Sequence, residues 1–95
     1  MATYIILSKI AHNAVKDPKD FKQLSEAVSS KIKKECPKVN WKNGYATLGR
    51  DDSIDIVETD DPRQLEKAVL IIRSYGHSKT ETLPATEWRE FLANL

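Results

Sequence analysis

Residues 3 to 9 read TYIILSK, a β-branched and aromatic run in which apolar and polar side chains do not alternate. A strand turns successive side chains to opposite faces, so Tyr4 and Ile6 look one way and Ile5 and Leu7 the other. A strand apolar on both sides is covered on both sides. That requirement constrains everything the remaining residues can build.

Asp17-Pro18 opens a helix, with Asp17 as N-cap, Pro18 at the first helical position and Asp20 in the first turn. Phe21, Leu24, Val28 and Ile32 follow at spacings of three and four, the stripe of an amphipathic helix. Lys31, Lys33 and Lys34 suit its C-terminal end, and Cys36-Pro37 stops it. Val39 to Leu48 predicts a second strand with a bulge near Asn43-Gly44. Gly49 to Asp52 supplies a turn, and Ile54 to Glu58 a third strand. Asp61-Pro62 repeats the helix-start logic, with Gln64 placed to reach back to the cap. Leu65, Ala68, Val69 and Ile72 form the stripe of this second helix, which Leu70 and Ile71 widen. Gly76 ends it. Ser78 to Leu83 predicts a short fourth strand, and Trp88, Phe91, Leu92 and Leu95 a tail helix.

The order β-α-β-β-α-β predicts a ferredoxin-like α+β fold: an antiparallel sheet ordered 4-1-3-2, both helices on one face. Its other face is then bare, yet strand one is apolar there too. Small soluble chains seldom expose such a patch, so we predict a homodimer with the sheets paired back to back.

At 95 residues, the length suits one domain spanning residues 1–95. Fifteen Lys and Arg against fourteen Asp and Glu leave a charge of +1, which argues against a nucleic-acid or anionic-membrane binder. A single cysteine excludes an intrachain disulfide, and no Cys/His spacing resembles a zinc site. The N-terminus lacks a basic region, and its apolar run is too short for a signal sequence or a membrane span. A cytosolic protein without cofactor or metal is expected.

The segments TYIILSKI, YATLGRDDSIDIVE and TETLPATEWREFLANL resemble those of the GYD family, small proteins built as dimeric α+β barrels. In that family a strand ending in TLG leads into a Gly-x-Tyr-Asp-like turn and an IVE strand, and the last strand carries TETLPA. The turn motif is degraded here. Asp51 stands where the family has tyrosine, Asp52 matches the aspartate, and Ser53 replaces an apolar residue. The resemblance implies the fold and the dimer but no activity. Related barrels include cofactor-free monooxygenases, isomerases, haem-binding enzymes and plain ligand binders.

Topology gathers the candidate chemistry. In a 4-1-3-2 sheet the end of strand one, the start of strand four and the hairpin between strands two and three share one edge. His12, His77 and Asp52 are therefore candidate catalytic groups, within roughly 10–15 Å of one another at a strand spacing of about 4.8 Å. A histidine beside a carboxylate suits proton transfer or metal binding, although solvated loops also hold such residues. Arg50 in the hairpin and Tyr45 on strand two are candidate ligand-binding residues, and Tyr45 equally fits simple packing.

The DDSID stretch imitates a calcium loop, with Asp51, Ser53 and Asp55 at alternate positions. It lacks the glycine and glutamate such a loop needs, because Ile56 and Pro62 stand there. WKNGYATL imitates an RNA-binding strand but sits on strand two beside an acidic strand three. Cys36 closes a helix, where the dipole disfavours thiolate, and fits an idle thiol. Two functions stay open: a homodimer binding a small apolar molecule in its barrel, or a cofactor-independent monooxygenase or isomerase. A third is that pairing is all the sheet face is for.

Overall fold

In the computed structural model the chain runs β1 (Ala2–Ile10), α1 (Pro18–Glu35), β2 (Asn40–Ala46), β3 (Ser53–Thr59), α2 (Pro62–Ser74), β4 (His77–Ala85) and α3 (Trp88–Ala93). The structure describes residues 1–14 and 16–95, save the side chain of Ser78.

Both long helices start at an Asp-Pro pair, as expected. The Asp17 carboxylate accepts from the Lys19 amide at 2.9 Å, and the Asp61 carboxylate accepts from the Arg63 and Gln64 amides at 3.1 and 3.3 Å. Each thereby satisfies amides that the helix itself leaves unpaired. Gln64 does not reach back to its cap. Its Oε1 accepts instead from the Lys38 amide at 2.8 Å, which ties α2 to the segment before β2. Gly76 follows the end of α2 with φ +98°, and an added Cβ would stand 2.9 Å from the Ala14 Cβ. Only glycine takes that turn without strain.

The sheet is antiparallel throughout, in the order β2-β3-β1-β4, which read from the β4 edge is 4-1-3-2. β1 lies inside it, paired with β3 and β4. The strand limits differ from expectation, β3 by one residue at each end. β2 stops at Ala46, and its bulge falls between Trp41 and Asn43, one position before the Asn-Gly pair. β4 runs nine residues rather than six, because its ladder with β1 continues to Ala85. Pro84 is accommodated because β4 is an edge strand.

Ile6 and Val57 of the sheet meet Val28 and Ile32 of α1 and Leu65, Ala68, Ile71 and Ile72 of α2 in one core. Both helices therefore cover the face that carries Tyr4 and Ile6. Leu70 does not widen the buried stripe: it is 65% exposed, whereas its neighbour Ile71 is buried. The Arg73 guanidinium donates to the Thr80 hydroxyl at 2.7 Å and to its carbonyl at 3.3 Å, which joins α2 to β4.

On the opposite face Ile5 stands across from Ile56 and Leu83, and Leu7 from Ile54. The four central side chains are half-buried by their strand neighbours alone. α3 buries no residue, and its Trp88 and Phe91 rings contact each other at 5.4 Å. Among the described residues no helix is long and apolar enough to cross a membrane.

The two sides of α2 should respond differently to truncation. Ile72→Ala is expected to cost about 2–5 kcal/mol in a urea melt, and Leu70→Ala to change stability by only about 0.5 kcal/mol.

Candidate functional site

Small side chains line the space between α1 and β2. Ser25 and Ser29 of α1 and Gly44 and Ala46 of β2, all exposed, border an open cavity of about 610 Å³ on the helix side of the sheet. Phe21, Val28, Ile32, Trp41 and Ile72 supply its apolar lining. Ser8, Asp52, Asp55 and His77 bring polar groups, and Lys33 adds a cation on α1.

Asp55 is the odd residue on this face. Its strand neighbours are Ile6 and Gly44, so the carboxylate belongs to the same side as the core. The Trp41 indole donates to its Oδ1 at 3.0 Å. Gly44 makes the room: a Cβ there would stand 2.9 Å from the same oxygen. Burial pushes the Asp55 pKa above the ordinary carboxylate value, against the opposing pull of the Trp41 hydrogen bond and of His77.

His77 lies 3.0 Å, through Nδ1, from the Ile72 carbonyl. A carbonyl only accepts, so Nδ1 carries the proton and Nε2 is left as an acceptor in the neutral ring. Burial draws the His77 pKa below its ordinary value, while the Ile72 carbonyl, Asp55 and Asp52 act in the opposite sense. The Ser8 hydroxyl also lies on this side, in a residue only 1% exposed, with no hydrogen-bond partner among the described residues.

Asp52 has a different task. Its Oδ2 accepts from the Ile10 amide at 2.7 Å, its own amide donates to the Ser8 carbonyl at 2.8 Å, and its carbonyl accepts from the Thr47 amide at 3.0 Å. The aspartate of the degraded turn motif thus fastens the hairpin to the end of β1. The Lys9 ammonium adds a contact to the Arg50 carbonyl at 3.3 Å.

Topology does gather the expected edge, but it brings only some candidates into one site. His77 and Asp52 share the cavity, and both carboxylates act on the imidazole. His12 is exposed in the loop after β1 and is not among the lining residues. Arg50 is exposed in the hairpin. Tyr45 borders the cavity, yet it stands opposite Ile54 on the other side of the sheet and is 58% exposed. Asp55, Trp41, Gly44 and Ser8 form the part of the site that sequence reasoning missed. Their signal was available: with the β2–β3 register in hand, Asp55 falls among inward positions, opposite a glycine. Cys36 is buried, and burial pushes its thiol up, as suits an idle cysteine.

An antiparallel sheet ordered 2-3-1-4 with two helices on one face defines a small ferredoxin-like α+β domain. Within that class the chain belongs to the GYD domain family, whose model matches residues 4–95. The Thermus thermophilus protein named glutamine synthetase and cystathionine beta-lyase binding protein is 30% identical over 99 residues, covering 100% of this chain and 99% of its own. The crystal structure of FFRP-DM1 is 26% identical with a TM-score of 0.57, covering 90% of this chain and 100% of that one. An AsnC family transcriptional regulator from Agrobacterium tumefaciens shares the fold at 20% identity and a TM-score of 0.64, over 90% of this chain and 50% of that one.

The titrations have a defined sign. A raised Asp55 pKa favours folding below the ordinary value of 3.8, and that contribution is lost as pH rises through the raised value. The lowered His77 pKa favours folding above 6.5, and that contribution is lost as pH falls through the lowered value. Asp55→Asn keeps an acceptor for Trp41 and removes the buried charge. Its thermal midpoint is expected above that of the unsubstituted protein at neutral pH, with the gain vanishing once acid protonates Asp55.

Proposed function

We propose that the protein is a cytosolic single-domain homodimer, joined through the bare sheet face as a dimeric α+β barrel, that acts as a binding protein for other proteins. One observation carries the pairing. Ile5, Leu7, Ile54, Ile56 and Leu83 form a continuous apolar stripe across β3, β1 and β4. Glu58, Lys9, Lys79 and Glu81 border it in the same registers, the apolar-centre and polar-rim pattern of a protein interface. Tyr45, opposite Ile54, extends the stripe to the β2 edge.

The Thermus relative is named for binding two enzymes, and it matches this chain end to end. That likeness supports a docking role toward enzymes. α3 would contribute, because Trp88, Phe91 and Leu92 stand exposed where the chain ends its fold. A pair of copies would present this helix twice.

A second reading, a cofactor-independent monooxygenase or isomerase, is favoured by the neutral imidazole of His77 facing two carboxylates in a cavity. That reading places proton transfer on His77 and Asp55, with Asp52 as their hairpin anchor. His77→Ala tests it: turnover of an enolisable substrate should be lost while the dimer remains.

Sedimentation equilibrium is expected to return twice the 10.8 kDa chain mass. Ile56→Asp should give a folded monomer, since it places charge at the centre of the stripe without touching the helix side. A monomeric parent protein would overturn the reading.

A further inference from the structure

We propose that the cavity beneath α1 is a binding site for a small primary amine, its ammonium held by the Asp55 carboxylate, the Ser8 hydroxyl and His77 Nε2, and its apolar body between Phe21 and Trp41. This site lies on the face of the sheet opposite the pairing stripe, so it stands or falls apart from the homodimer.

The polar groups of the cavity are mostly acceptors looking for a donor. Asp55 gives Oδ1 to the Trp41 indole and keeps the rest of its acceptor capacity. His77 spends Nδ1 on the Ile72 carbonyl, which leaves the lone pair of Nε2. The Ser8 hydroxyl is buried and unpartnered among the described residues, a state that ordinarily costs stability and is relieved by one added partner. Asp52 contributes negative charge from the hairpin, with one oxygen already on the Ile10 amide.

Two carboxylates repel an anion. A metal ion is also a poor fit, since no group of three or more His, Cys, Asp and Glu among the described residues is arranged to hold one. An ammonium offers three donors and one positive charge, which matches an acid, an imidazole nitrogen and a hydroxyl. The aromatic side chains then bury the organic body, and the Trp41 face favours a cation close by.

The geometry of β2 suits this use. Gly44 opposite Asp55 and the indole clamp hold a charged group on a face that apolar residues would fill more stably. A carboxylate retained against its own desolvation is expected where it meets a partner.

The test is titration of the full-length protein, in a Trp88→Phe background so that Trp41 reports alone. The probe is 2-phenylethylamine, compared with 2-phenylethanol and 3-phenylpropanoate. Saturable change in Trp41 emission is expected with the amine, at an affinity about tenfold or more above that of the alcohol. The carboxylate should not bind. Asp55→Asn should lower amine affinity about tenfold or more, and Ser8→Ala about threefold to tenfold. Circular dichroism and sedimentation of each variant should match the parent. Equal binding of alcohol and amine, tighter binding of the carboxylate, an unchanged Asp55→Asn variant, or no saturation by the amine at millimolar concentration would each overturn the proposal.

Discussion

β1 is apolar on both faces, and the rest of the molecule is arranged around covering it. One face is closed by α1 and α2, whose stripes meet Ile6 and Val57 in a single core. The other is closed only sideways, by Ile56, Ile54 and Leu83 on the flanking strands. Full burial of an isoleucine or leucine is worth about 1.5–3 kcal/mol. Association costs about 4–15 kcal/mol in lost freedom. A stripe of half-buried aliphatic side chains on each of two copies is of the size needed to offset it. The proposed pairing rests on that balance.

The helix side holds an opposite arrangement, in which packing is given up. Gly44, Ala46, Ser25 and Ser29 leave space that larger apolar residues would fill, and Asp55 places a carboxylate beside it. Trp41 and Gly44 keep that carboxylate in place, one by a hydrogen bond and one by having no side chain. Local departures from the best-packed solution tend to mark function, because nothing in folding alone requires them. The cavity and the bare face thus occupy opposite sides of one sheet, and either can serve without the other.

Much of the fold was legible in the sequence because its signals are local. Asp17-Pro18 and Asp61-Pro62 fixed two helix starts, Gly76 a stop, and the two-sided run at Tyr4 to Leu7 the central strand. Gln64 and Leu70 were misjudged, since their choice of partner depends on how α2 sits against β2 and solvent. Asp52 was read as a candidate catalytic group, whereas its role as a latch on the Ile10 amide needs the hairpin to fold back on β1. The site itself was harder to see. His77 was found from topology, whereas Asp55 matters only once Gly44 stands opposite it, a pairing that the bulge at Lys42 sets, and Ser8 only once its hydroxyl is found without a partner among the described residues. Asp51, which stands where the family has tyrosine, lines neither the cavity nor the stripe. The Asp51 carbonyl accepts from the Thr47 hydroxyl at 2.7 Å, a backbone role that any side chain permits.

The pairing of the bare face is tested most directly by methyl spectroscopy on a mixture of two differently labelled populations of the protein. The account expects nuclear Overhauser effects between copies at the methyls of Ile5, Leu7, Ile54 and Ile56, and protection of these methyls from a soluble paramagnetic agent. Methyls with no effects between copies, broadened by the agent as freely as those of the exposed Leu70, would contradict it.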